Sequence, residues 1–270
     1  MPVNDAMDNS INQDTIPGIA PDMETYNYID GKWQKLSLAV PREIALTIYV
    51  NNQELVSSLC TPNKLNCLVL GYLYSENVIS GMSDVLSMRI CEEESLADIR
   101  LNKTDFVLPQ KRILTSGCGG GVSLTSDEPE TIISGLKVMP SQIINLMEKM
   151  LMEADIYRIS GGIHTSALCD EENILVISED IGRHNTLDKI QGECLLRKLS
   201  TNNRIIVTSG RLSSEMVRKA GKMETPVIAS LTSPTERAII LAKKLGITLI
   251  GYTKGKRMSV YSISERLRGI

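Results

Sequence analysis

Two short apolar runs decide the fold: Arg204-Ile205-Ile206-Val207-Thr208 and Pro226-Val227-Ile228-Ala229-Ser230-Leu231. Neither alternates with polar residues, as expected of strands buried on both faces. Helical segments Ser213–Met223 and Pro234–Leu245 follow them, and a third strand, Ile247–Tyr252, closes the series. Alternating β and α units of this kind predict a mostly parallel sheet with helices on both faces. Working outward, Ile163–Cys169 and Ile174–Ser178 read as a hairpin around 170–173, followed by a helix over His184–Leu199. Pro140–Ala154 is an amphipathic helix with Ile143, Ile144, Met147 and Leu151 on one face.

The first half has a different rhythm. Ile44, Leu46, Ile48 and Val50 alternate as in a half-buried strand, Asn51-Asn52 turns, and Glu54–Cys60 returns. Thr61-Pro62 reads as a helix start, Thr as N-cap and Pro in the first turn. Val85–Cys91 and Phe106–Leu108 add short strands. The expected organisation is a weakly ordered polar arm over 1–35, a small α+β domain over 36–135, and an α/β domain over 136–270.

Apolar residues make up 42% of the 270, with one Trp and one Phe, so the core is built from aliphatic side chains. A net charge of −3 argues against a broadly basic nucleic-acid binder. Met1–Ala20 has neither the basic nor the apolar region of a signal peptide, and no run reaches transmembrane length. The expected compartment is the cytoplasm, where the six cysteines stay reduced, and no membrane or nucleic-acid partner is expected. None of the cysteines has metal-ligand spacing.

Five cysteines lie in or beside apolar segments, where a thiol acts as a small hydrophobe. Cys118 differs, because it sits in Ser116-Gly117-Cys118-Gly119-Gly120-Gly121. Glycine-loop N–H groups can form a nest that favours a thiolate or persulfide, although a tight turn that merely contains cysteine reads equally well. Glu179-Asp180-Ile181-Gly182-Arg183-His184-Asn185, with Asp188-Lys189 one turn on, lies where a strand ends and a helix opens. Such junctions bind ligands in open α/β sheets, and helix N-termini favour anions. Ser209-Gly210-Arg211-Leu212-Ser213-Ser214-Glu215 repeats that placement. Gly161-Gly162-Ile163-His164 carries one of the two histidines, and Tyr252–Arg257 is a basic turn after the last strand of the series. Each of these also has a bland reading as a capped helix, a packed histidine or a solvated turn. Phosphate-loop, dinucleotide and zinc-deaminase patterns are absent.

Taken in order, these motifs resemble the formate dehydrogenase accessory sulfurtransferase family, FdhD. Leu46–Asn51 and Leu70–Glu76 are similar to its N-terminal part, so the likeness runs from about residue 41 to 261. The resemblance implies a sulfur carrier that takes a persulfide from a cysteine desulfurase. It would pass sulfur to a molybdenum or tungsten bis-guanylated pterin, molybdenum bis(molybdopterin guanine dinucleotide), held as bound substrate. The partner implied is the formate dehydrogenase catalytic subunit; a homodimer stays open. The implied fold is a C-terminal three-layer α/β domain similar to cytidine deaminases, without zinc, beside a smaller N-terminal α+β domain. Cys118 would be the persulfide cysteine, and Tyr252, Thr253, Lys254, Gly255, Lys256 and Arg257 the cofactor-binding segment. Arg183, His184, Gly210 and Arg211 would bind nucleotide phosphates. Many members have a C-x-x-C loop, whereas the second position here is Gly121, so a two-cysteine relay within the loop is excluded. One thiolate suffices to accept and release a sulfane sulfur. A cofactor chaperone that handles no sulfur, and a redox-sensing thiol protein, are the alternatives.

Overall fold

The structure, a computed structural model, describes residues 16–103, 113–114, 122–123 and 129–270. Its N-terminal element is a two-stranded antiparallel ribbon, β1 (Ile19–Ile29) with β2 (Lys32–Pro41). Residues 19–29 and 32–35, expected to belong to a weakly ordered arm, are therefore strand, joined by a turn at Asp30-Gly31. Their side chains stay largely exposed, Tyr26, Tyr28 and Trp33 among them, so the segment lacks the buried face that marks a strand in sequence.

Next comes a four-stranded sheet in the order β4-β3-β6-β5. Its strands are β3 (Ile44–Val50), β4 (Gln53–Cys60), β5 (Val85–Cys91) and β6 (Leu96–Leu101). Leu46, Ile48, Val50, Ala97 and Ile99 pack against Leu65, Val69 and Leu73 of helix α1 (Leu65–Ser75). Helix α1 does not start at Thr61-Pro62. It starts after Lys64, because Thr61 is drawn into bonds with the other half of the molecule. The expected strand Phe106–Leu108 lies outside the described residues. Two further short strands, β7 (Ile113–Leu114) and β8 (Val122–Ser123), pair antiparallel.

The second half is a three-layer sandwich. Helix α2 (Pro140–Glu153) covers one face of a six-stranded sheet, and the short helix α3 (Asp155–Ser160) follows it. The sheet comprises β9 (His164–Cys169), β10 (Ile174–Asp180), β11 (Ile205–Thr208), β12 (Val227–Ser230), β13 (Thr248–Lys254) and β14 (Arg257–Ser262). Helices α4 (Arg183–Arg197), α5 (Ser214–Lys222) and α6 (Glu236–Lys244) cover its other face. Period-2 alternation assigns the faces: Ile205 and Val207 meet α2, while Ile206 meets the three-helix layer.

The strand order is β10-β9-β11-β12-β13-β14, and only β11/β12 and β12/β13 are parallel. The sheet is thus mixed rather than mostly parallel. The β9–β10 hairpin inserts next to β11 with β9 antiparallel to it, and β14 returns antiparallel on β13. The two halves join where α1 crosses α4 at backbone contact. A Cβ at Gly71 would lie 1.7 Å from the Asp188 carbonyl oxygen, and one at Gly192 would lie 1.9 Å from that of Cys67. Only glycine permits so close an approach.

Candidate functional site at the sheet edge

The register brings the separate motifs to one edge. Asp180 pairs with His164 across β10 and β9, and β11 ends beside them, with Ser209 N–H donating to Thr165 O at 2.8 Å. The β10–α4 junction, the β11–α5 junction and the start of β9 therefore meet. Gly210 makes this possible, since a Cβ there would lie 2.9 Å from Arg183 Cβ and 3.4 Å from His164 Nδ1.

The junction preceding α4 is held from below. The Lys189 and Asp180 side chains, both fully buried, pair at 2.6 Å. Lys189 also donates to Thr61 O and Glu179 O, each at 3.1 Å, and to Asn63 Oδ1. Asp180 accepts from the N–H groups of Thr61 and Gly182 and from Asn185 Nδ2. Ile181 N–H donates to Thr61 Oγ1, and Asn185 Nδ2 to Leu59 O. A buried pair is tolerated only with such additional hydrogen bonds. Asp188 repeats the device, binding Lys219 of α5 at 2.6 Å and accepting from Ser75 Oγ of α1 at 2.8 Å. Burial works against the Lys219 charge, but Asp188, Glu76 and Glu215 outweigh it and hold its pKa up. Glu179 accepts from the N–H groups of Ile156 and Tyr157 at the start of α3. In this motif Glu179, Asp180, Asn185, Asp188 and Lys189 are therefore framework.

Arg183 and His184 remain, in the first turn of α4. Both are buried, and this helix has no side-chain cap, whereas Ser213 caps α5 and Thr235 caps α6. Burial, reinforced by the Arg183 and Lys219 cations, pushes His184 down to about 2, so its imidazole is neutral. Burial and Arg183 lower His164 as well. His184 Nε2 lies 3.2 Å from Ser213 Oγ and 3.4 Å from Glu215 Oε2.

Beneath these groups runs a row of buried hydroxyls. Ser178, Ser166, Thr208 and Ser230 are direct cross-strand neighbours on four adjacent strands, facing the three-helix layer. Ser166 Oγ contacts Thr186 Oγ1 at 2.6 Å and Thr208 Oγ1 at 2.8 Å. Gly210 N–H donates to Thr208 Oγ1, and Ser230 Oγ donates to Gly210 O. Sequence reading missed this row. The available signal was a hydroxyl residue closing each apolar run, Thr208 after Val207 and Ser230 after Ala229.

Arg211 is exposed on the β11–α5 junction. Tyr252 reaches the same edge, with its N–H on Thr232 O at 3.0 Å and its side chain half-exposed. It has φ 54°, an uncommon conformation for a bulky residue, at an irregularity in the β13–β14 ladder. Thr253 is buried. Lys254, Lys256 and Arg257 extend around the Gly255 turn without an ion pair among the described residues. The structure thus gathers Arg183, His184, Gly210, Arg211 and Tyr252 along one edge, and adds His164. Cys118 lies outside the described residues, between β7 and β8.

Fold and site together define an α/β protein whose strand ends present cations, hydroxyls and a helix N-terminus suited to an anionic ligand. Over residues 41–268 the sequence matches the FdhD/NarQ family, and the chain belongs to it. It is 39% identical over 249 residues to the sulfur carrier protein FdhD of Listeria innocua, covering 88% of this chain and 94% of that one. The protein of the same description from Bacillus subtilis is 35% identical, over 91% and 96% of the two chains. A crystal structure from Desulfotalea psychrophila, of a protein proposed to be a formate dehydrogenase accessory protein, superposes with a TM-score of 0.75. It is 24% identical and covers 91% of this chain and 98% of its own.

Proposed function

We propose that this chain is a sulfur carrier that serves formate dehydrogenase maturation in the cytoplasm. The observation carrying the reading is the convergence of Arg183, His184 and Gly210 on one edge, in a chain whose relatives are called sulfur carriers. On this reading the edge holds the phosphates of a molybdenum bis-guanylated pterin as substrate, with Arg211 and Tyr252–Arg257 along its flank. Its C-terminal sandwich would be similar to that of cytidine deaminases without zinc.

Cys118 is the proposed carrier. Burial raises the thiols of Cys60, Cys169 and Cys194 to about 12 and also raises Cys67, so none of these suits a nucleophile. Cys91 lies on the edge strand β5 of the other sheet. In loading, the Cys118 thiolate attacks the terminal sulfur of the desulfurase persulfide. A new S–S bond forms on Cys118, the donor's S–S bond breaks, and the donor cysteine leaves as thiolate. In discharge as sulfide, a further thiolate attacks the Cys118 sulfur: the persulfide S–S bond breaks, hydrosulfide leaves, and a mixed disulfide forms on Cys118, which another thiol then reduces.

The test is mass spectrometry after incubation with a cysteine desulfurase and cysteine. The expected product is one added sulfur on Cys118, with formate dehydrogenase maturation lost in Cys118→Ala. No added sulfur, with maturation retained in the variant, would instead establish a cofactor chaperone.

A further inference from the structure

The two histidines at the sheet edge differ in what they have left to offer. His184 is enclosed, with only 9% of its side chain exposed. Its Nε2 lies 3.2 Å from Ser213 Oγ, the N-cap of α5, so the ring is engaged with the helix layer. His164 is only half-buried, and its ring makes no hydrogen bond among the described residues. It opens β9 opposite Asp180, the last residue of β10, and therefore sits where β11 ends.

Gly210 shows what His164 stands beside. The place a Cβ of Gly210 would take is 3.4 Å from His164 Nδ1, 2.9 Å from Arg183 Cβ and 3.5 Å from Arg183 Cδ. The ring nitrogen and the arginine stem thus adjoin one bare Cα, too near for any side chain there. Burial, with Arg183 next, keeps the imidazole neutral at pH 7 against the pull of Asp180. It then carries one N–H and one lone pair. A ring without a partner, beside an arginine and a helix start with no side-chain cap, is available to an incoming anion.

We propose that His164 is the histidine that touches the ligand, donating a ring N–H to a phosphate oxygen beside Arg183, and that His184 belongs to the framework joining α4 to α5. The proposal deepens the function given above and rests on it for the nature of the ligand. The contrast in accessibility between the two rings does not.

Diethyl pyrocarbonate tests both parts, because it acylates a neutral, reachable imidazole and the chain has only two histidines. Peptide mass mapping of the folded protein near pH 7 is expected to find the ethoxycarbonyl group on His164 and not on His184. Guanosine diphosphate, the probe, at about ten times its Kd is expected to slow that modification about tenfold. By titration calorimetry, His164→Ala should bind guanosine diphosphate about tenfold more weakly, as for one hydrogen bond to a charged group. Its urea midpoint should stay close to wild type, whereas His184→Ala should lower the midpoint. The protection readout uses the wild type, so it decides even where His164→Ala fails to fold. Modification of His184 ahead of His164, or wild-type affinity in a folded His164→Ala, overturns the proposal. Binding of guanosine diphosphate that leaves His164 unprotected overturns the ligand role alone. Absence of binding in the wild type overturns the functional reading and the ligand role with it.

Discussion

Gly71 of α1 lies against the carbonyl oxygen of Asp188 on α4, so near that any side chain there would overlap the opposing backbone. Gly192 reciprocates against Cys67, and the two halves of the molecule meet with almost nothing between their helices. In an exposed helix, Gly→Ala stabilises by about 1 kcal/mol. Here Gly71→Ala or Gly192→Ala must force the helices apart. Each is expected to cost more than about 2 kcal/mol, read as a lower urea midpoint.

The buried pair below the site gives a second expectation. Replacing Lys189 by Met leaves Asp180 buried without its cation, at a cost of about 3–5 kcal/mol. Asp180→Asn restores neutrality in the double variant, which is expected to be more stable than Lys189→Met alone. Equal stability of the two would show that the lysine acts through packing rather than charge.

Histidine burial sets an acid-side dependence. His184 in the folded chain lies near 2, whereas in the unfolded chain it titrates near the ordinary 6.5, so the unfolded state binds the proton preferentially. The stability this histidine leaves intact above pH 6.5 is therefore lost as pH falls from there toward 2. The slope from this group approaches about 1.4 kcal/mol per pH unit. His184→Gln should flatten the profile between about pH 6.5 and 5, measured by denaturation against wild type at each pH.

Gly210→Ala places a methyl group 2.9 Å from Arg183 Cβ, and either Arg183 or the β11–α5 junction must shift. Guanosine diphosphate affinity is expected to fall about tenfold, the loss of a well-placed charged contact. Titration calorimetry checks this. A wild-type affinity would separate Gly210 from ligand binding.

Much of the architecture was legible because it is local. The buried runs at Ile205–Val207 and Val227–Ala229, the amphipathic α2 and the β9–β10 hairpin each announce themselves within a few residues. Strand direction is not local. Nothing in Ile163–Cys169 tells that β9 runs antiparallel to β11, so the sheet read as more parallel than it is. Thr61 is the clearer lesson. Its neighbour Pro62 makes it look like a helix cap, yet its N–H and Oγ1 serve Asp180 and Ile181, about 120 positions away. The acidic and basic members of the motif 179–189 pointed to a ligand by type, and long-range partners made most of them framework. Arg183, His184 and Gly210 were identifiable because helix starts and glycine turns expose their chemistry in sequence.

The contacts of Lys189 also bear on modularity. Its ammonium draws oxygens from Thr61 and Asn63 on one side and from Glu179 and Asp180 on the other. The C-terminal sandwich is therefore incomplete alone: cutting ahead of it keeps the Lys189–Asp180 pair but takes away the Thr61 and Asn63 oxygens that complete the shell of its buried ammonium. The strip from Leu59 to Asn63 is, in effect, part of that sandwich contributed from a distance. Pieces divided between 103 and 129 would be complementing fragments of one unit rather than two independent modules.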